Sequence, residues 1–157
     1  MIAGAAGGLA LVAPKGGAAR PTTDRVKESL FGALGPDPLV DASVLDLYAG
    51  SGALAIEALS RGAARAVFVD RDHAAVTAIR RNLATTRLRG QARVQGSTVA
   101  TFLAGKPPAE RPFDLVFLDP PYAATSDELG RVLNSLDGSG WLAVFMWPLK
   151  CGGARSK

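Results

Sequence analysis

The decapeptide LVFLDPPYAA at residues 115–124 sets three chemical resources side by side. Leu115 to Leu118 are apolar strand formers, and the run ends on the carboxylate of Asp119. Pro120 and Pro121 supply rigid backbone carbonyls that no helical ladder consumes, and Tyr122 adds a flat ring. This set suits an exocyclic amino group on a nucleobase, a poor nucleophile because its lone pair is delocalised into the ring. Hydrogen bonds from the amino group to Asp119 and to the Pro120 carbonyl would hold it and favour pyramidalisation. Tyr122 would stack on the extruded base. Read without its context, the tetrapeptide is also compatible with a rigid turn.

A second motif, Asp46-Leu47-Tyr48-Ala49-Gly50-Ser51-Gly52, joins a strand to a helix, and Asp70 ends the next strand. Glycines let a ligand approach the backbone, and a carboxylate at the second strand end can accept ribose hydroxyls. Gly50-x-Gly52-x-x-Ala55 with Asp70 fits a dinucleotide fingerprint as well. Asp46 discriminates: a pyrophosphate at this turn would be repelled by the extra carboxylate. S-adenosylmethionine carries an ammonium and a sulfonium, which an acid attracts. A tight turn without a ligand is the plain alternative. Neighbouring Arg71, and Ser97 with Thr98 after the third strand, are further cofactor-side candidates; the alternative for Ser97 and Thr98 is a helix N-cap.

These residues need a scaffold. With 157 residues, 48% of them hydrophobic, the chain can bury one core, at this size roughly 70% of the unfolded surface. The reading is a single domain, with residues 1–22 a flexible or hairpin-like lead-in and residues 23–157 the body. The net charge of +4 permits a nucleic-acid partner without requiring one. Cys151 is the sole cysteine, so there is no internal disulfide, and no Cys/His cluster suggests a metal. MIAGAAGGLALVAP lacks the basic start of a leader, and the apolar run Trp141 to Trp147 is far short of the ~20 residues a membrane span needs. A cytoplasmic, monomeric protein is expected.

Thr23-Asp24 is expected to cap a helix with Val26, Leu30 and Leu34 on one apolar face, stopped by Gly35-Pro36. Strand and helix patterns then alternate. Strands are expected at Ser43–Leu47, Ala66–Asp70, Ala92–Gly96, Phe113–Asp119 and Ala143–Trp147. Helices are expected at Ala53–Arg61, Ala74–Thr86, Thr98–Ala104 and Asp127–Leu136. Short apolar strands alternating with helices imply an α/β fold, a Rossmann-like and mostly parallel sheet covered on both faces.

RPTTDRVKESLF (20–31), LDLYAGSGALAIEALSRGA (45–63) and LDPPY (118–122), in this order, closely resemble the bacterial 16S rRNA guanine-N2 methyltransferase family, and IAGAAGGLALVAP (2–14) resembles its opening. The similarity covers about residues 2–142. It implies a class I S-adenosylmethionine-dependent methyltransferase acting on the guanine amino group in 16S rRNA or the small ribosomal subunit. Carried over by motif, Asp46, Tyr48, Ala49, Gly50, Ser51 and Gly52 would line the cofactor pocket, and Asp70 would hold the ribose. Asp119, Pro120, Pro121 and Tyr122 would hold the base, and the segment around Arg20, Thr22, Thr23 and Arg25 would border cofactor and RNA.

Two departures stand out. Family members usually carry basic residues after the early Gly-Gly, whereas Gly7-Gly8 is followed by Leu9-Ala10. Beyond Gly140-Trp141-Leu142 the family continues through a full fifth strand and an antiparallel hairpin; here AVFMWPLKCGGARSK, interrupted by Pro148, is read as lacking that hairpin, with impaired activity an expected consequence. Rival readings are a DNA amino-methyltransferase and a non-catalytic protein that binds S-adenosylmethionine or RNA. Arg80, Arg81, Arg87, Arg89 and Arg93 are read either as phosphate contacts or as a solvated face, and His73 as an exposed residue at a helix start.

Overall fold

The computed structural model describes residues 1–16, 23–107, 112–137 and 139–143. β1 (Ser43–Leu47), β2 (Arg65–Asp70), β3 (Ala92–Gly96) and β4 (Leu115–Leu118) form one parallel sheet in the order β3-β2-β1-β4. The crossovers carry α2 (Ala53–Ser60), α3 (His73–Thr85) and α4 (Val99–Leu103); α1 (Asp24–Leu34) precedes the sheet and α5 (Ser126–Leu136) follows β4. The strand order reverses between β1 and β4, and in sheets of this kind the cleft beyond the strand ends at such a reversal is where ligands bind.

Every residue of β1 is buried, as a central parallel strand covered on both faces requires. Val44, Phe68 and Phe117 face Phe31, Ile56 and Ile79 on one side. Leu45, Leu47, Val69 and Val116 face Leu103, Val132, Leu136 and Trp141 on the other. Each large side chain buried in these layers contributes about 1.5–3 kcal/mol relative to exposure.

Boundaries deviate from the sequence expectation by one residue at most elements, and by two at the start of β4. The apolar face of α1 differs more. Thr23 caps the helix by accepting from Val26 N, but Val26 is 51% exposed, and the buried positions are Lys27, Leu30 and Phe31. Phe31 has the larger apolar surface and takes the core position, in edge contact with Phe117 at 5.9 Å. On α5, Leu133 is 39% exposed, while Val132 and Leu136 are buried. Beyond β4, Phe113 bridges Leu142 in parallel, with Phe113 N donating to Trp141 O and Ala143 N to Phe113 O, both at 2.8 Å. Pairing outside β4 thus begins one residue before the expected strand Ala143–Trp147; residues 144–147 of that strand, and the tail after it, lie outside the described residues.

The opening segment is anchored by its backbone. Gly8 N donates to Met1 O at 3.0 Å, closing a loop. Glu57, fully buried on α2, accepts from Ile2 N and Ala3 N at 3.0 Å each and from Arg61 Nε at 2.8 Å. Ser60 Oγ accepts from Ala6 N and donates to Ala3 O. Further along, Asn82 of α3 receives Val12 N and donates to Val12 O. Gly4 sits at φ 78°, where an added Cβ would lie 1.7 Å from Ser60 O. Gly4→Ala is therefore expected to release the segment, lowering stability by at least about 2 kcal/mol through the orphaned Glu57 carboxylate. Hydrogen exchange at Ile2 and Ala3 amides checks it; protection equal to that of the wild type would contradict the anchor.

Candidate functional site

The turn between β1 and α2 lies at the carboxyl end of the sheet. Tyr48, Gly50 and Gly52 have φ of 61°, 57° and 78°, all left-handed. For a bulky residue such as Tyr48 that region costs roughly 1–2 kcal/mol, so neighbours must hold it there. Ala49 N donates to Val69 O at 3.1 Å, Gly52 N to Ala49 O at 2.7 Å, and Gly50 N to Asp70 Oδ2 at 2.9 Å. From α3, Asn82 Nδ2 donates to Ser51 O at 2.9 Å. The two glycines serve different ends. A Cβ on Gly52 would press within 3.1–3.2 Å of Phe68, Ile56 and Ile79, so Gly52 permits close packing. A Cβ on Gly50 would meet nothing within 4 Å, so the turn's tip faces open space able to receive a ligand.

Below the turn lies Asp46, 2% exposed, accepting from Ala55 N at the start of α2. Burial pushes its carboxyl well above the usual carboxylate range; the Ala55 amide partly offsets this, while the charges of Asp119 and Asp70 push it further up. The three acids come from the carboxyl ends of three adjacent strands. Such a cluster lowers its own energy by receiving a cation. Asp70 does more than the sequence implied: besides Gly50 N, it accepts from Asp72 N through Oδ1 at 2.9 Å, so it fixes the turn as well as facing the rim. The Tyr48 phenol is half-buried and shifted upward, first by burial and then by Glu128, with Arg71 acting in the opposite sense.

β4 pairs with β1 in a register that matches Leu118 to Leu47, so Asp119 leaves the sheet beside Tyr48. The Asp119–Tyr122 corner and the glycine turn thus emerge next to one another at the strand-order reversal. The Pro121 carbonyl accepts from Ala124 N at 2.9 Å, whereas the Pro120 carbonyl takes no hydrogen bond among the described residues. Tyr122 is 96% exposed.

The remaining expected residues are more dispersed. Thr98 is the N-cap of α4, its hydroxyl accepting from Thr101 N at 3.1 Å, and Ser97 is half-buried beside it. Thr23 caps α1 and Arg25 is exposed on it, lining an open groove of about 400 Å³ with Val26, Ser29 and Leu30. Arg20 and Thr22 lie outside the described residues. His73 is exposed at the first position of α3. The sequence reading missed Asn82, which is fully buried and joins the opening segment to the glycine turn. It also missed Lys27, 4% exposed and paired with the exposed Asp24 at 2.9 Å, a contact that holds the Asp24 carboxyl below its usual range. The available signal for Asn82 was its place on the apolar face of α3, four residues after Ala78 and three after Ile79.

Among the described residues no helix is long and apolar enough to cross a membrane. No group of three or more His, Cys, Asp or Glu side chains there could hold a metal ion.

Residues 1–147 match the family model described as conserved hypothetical protein 95. Ribosomal RNA small subunit methyltransferase D of Escherichia coli strain K12 is 45% identical over 143 residues, covering 91% of this chain and 69% of that protein. Its namesake in Haemophilus influenzae is 40% identical over 125 residues, 78% of this chain and 62% of that one. The solved structure of yhhF from Escherichia coli superposes with a TM-score of 0.77 at 44% identity, covering 90% of this chain and 73% of that one. A Thermus thermophilus hypothetical protein gives a TM-score of 0.74 at 35% identity, with 89% and 77% covered. Motifs, sheet order and these likenesses agree: the chain belongs to the conserved hypothetical protein 95 family, that of ribosomal RNA small subunit methyltransferase D.

Proposed function

We propose that this chain is an S-adenosylmethionine-dependent methyltransferase that modifies the exocyclic N2 amino group of a guanine in 16S rRNA. The observation that carries the reading is the adjacency of the Asp119–Tyr122 corner and the Tyr48–Gly52 turn at the β1/β4 reversal, above the buried Asp46. The residues present fit the cofactor: Gly50 leaves open space at the turn, and the acid cluster favours a cationic ligand. S-adenosylmethionine, when bound, supplies an electrophilic methyl group on a sulfonium.

The chain's own residues do the rest by position and electrostatics. Asp46 attracts the donor's positive charge, and Asp70 and Arg71 border the ribose side. The Ser97–Thr98 backbone is the proposed adenine-side contact, since the Thr98 hydroxyl is committed to its cap. Asp119 and the Pro120 carbonyl accept the two amino hydrogens of the guanine, turning the nitrogen lone pair toward the methyl carbon. Asp119 or water would take the proton that the amino nitrogen loses on receiving the methyl group from the bound donor, which would leave as a neutral thioether. Tyr122, exposed and flat, stacks on the extruded base. Arg20, Thr22, Thr23 and Arg25 are assigned to the RNA border.

The test is incubation with methyl-labelled S-adenosylmethionine and small subunits from a strain lacking the modification, followed by nucleoside analysis. Labelled N2-methylguanosine is expected. Label only in duplex DNA would support an amino-methyltransferase of DNA, and cofactor binding without product a non-catalytic protein; either overturns the proposal.

A further inference from the structure

We infer that the groove between the C-terminal half of α3 and the start of β3 is a second nucleic-acid contact, gripping RNA phosphates remote from the methylated base. The inference rests on the proposed reading of the chain as an RNA methyltransferase, and it names a contact surface that the motifs do not.

From His73 to Ala109 the sequence contains no Asp or Glu, yet it carries Arg80, Arg81, Arg87, Arg89 and Arg93. All five are exposed. None of their side chains makes a hydrogen bond or ion pair among the described residues, in contrast to Arg61, bound to Glu57. Three of them, Arg80, Arg89 and Arg93, line a groove of about 510 Å³ together with Leu83, Ala92 and Val94. Guanidinium groups grouped around a concavity without internal partners match the fork geometry of phosphate oxygens.

A plain explanation accounts for part of this. Arginines near a helix C-terminus complement its dipole, and Arg93 on an edge strand blunts edge-to-edge pairing. Neither explains the concavity. Nor does either explain Arg87, which holds φ 60° at the end of α3, a position where glycine or asparagine is the unstrained choice.

The location gives the inference content. The strands are parallel, so Ala92 and Arg93 at the start of β3 lie at the rim opposite the carboxyl ends that carry Asp46, Asp70 and Asp119. A five-residue strand and two inter-strand steps separate groove from turn, roughly 20 Å by ordinary sheet spacings. The acid rim repels phosphates and the arginine groove attracts them. The substrate is thus RNA long enough to lay its backbone along the β3 edge while a base several nucleotides away enters the acid rim; a nucleoside or very short oligomer cannot engage both.

The experiment is fluorescence anisotropy of a labelled 16S rRNA fragment over a potassium chloride series, for wild type, Arg80→Gln/Arg89→Gln/Arg93→Gln, and the matching triple Lys variant. Stripped of three phosphate-gripping charges, the Gln variant is expected to bind at least about 10-fold more weakly at low salt, its log–log salt slope shallower by about 2–3. The Lys variant keeps its charges and is expected to keep the wild-type slope. Cofactor binding by calorimetry, unchanged in both variants, verifies folding; if the Gln triple variant does not fold, Arg93→Gln alone is expected to flatten the slope by about one. A folded Gln variant with the wild-type slope, or a wild type that does not bind RNA, overturns the inference and leaves the groove to an acidic protein surface. Arginine-dependent RNA binding without methyl transfer would overturn the proposed reaction and leave the groove assignment standing.

Discussion

Asp119→Ala is expected to reduce methyl transfer by at least about 1,000-fold while leaving cofactor affinity within a few-fold of wild type. Asp119 directly follows the last residue of β4 at the reversal, and in the proposed reaction it accepts from the amino group of the bound base. Losing it removes both the alignment of the nucleophile and a nearby acceptor for its proton. The Leu118–Leu47 register that delivers the corner is set by backbone pairing and by the buried residues of β4. Asp119→Asn keeps an acceptor without the charge and is expected to fall between, losing about 10–100-fold. Rates with saturating RNA, set against calorimetric cofactor binding, separate the cases. Parallel collapse of rate and cofactor binding in the alanine variant would make Asp119 a structural residue.

Asp46→Asn is expected to stabilise the free protein at neutral pH and to weaken cofactor binding about tenfold or more through loss of the buried negative charge. Burial, with Asp119 and Asp70 adding to it, raises the Asp46 carboxyl pKa in the folded chain. The native state therefore retains a proton that the unfolded chain has released. The stability this contributes is fully present below the ordinary carboxylate pKa and is lost as pH rises through the raised folded value. Asparagine can still accept from Ala55 N but has no proton to lose, so the variant's advantage opens above about pH 4 and widens upward. A cationic ligand reverses the balance, favouring the ionised form, so cofactor binding releases a proton near the raised pKa. Thermal unfolding across pH and calorimetry in buffers of different ionisation heat check both parts. A variant less stable than wild type at pH 7, with no change in proton release, would remove Asp46 from the cofactor's electrostatics.

The places of these two residues in the fold were readable from the chain because their surroundings are local. Val44 to Leu47 is an apolar run interrupted by one acid, and an acid buried in a strand has few purposes. Likewise a strand that stops on Asp119-Pro120 can do little but turn. The opening segment was opaque for the opposite reason. Its anchors, Glu57, Ser60 and Asn82, sit on helices that pass as ordinary, and their partners are backbone groups 54 to 70 residues away in sequence. Nothing in a helical period distinguishes a glutamate facing solvent from one facing another segment's amides. Val26 failed similarly: periodicity found a face on α1, but competition with Phe31 for the core decided which face it was. The role of Asp70 in fixing Gly50 and Asp72 was hidden because one carboxylate can serve a ligand and a turn through different oxygens.

One consequence follows from how Glu57, Ser60 and Asn82 grasp residues 2–12. They hold main-chain atoms, so the fastening is indifferent to most of what the segment displays outward. Leu9 and Val12 are each 38% exposed, and their side chains could be exchanged for cationic ones with the socket left intact. The chain thus separates attachment from livery: the same mooring can present a bare apolar strip or a charged one, and the outward chemistry of that strip can drift without unseating it.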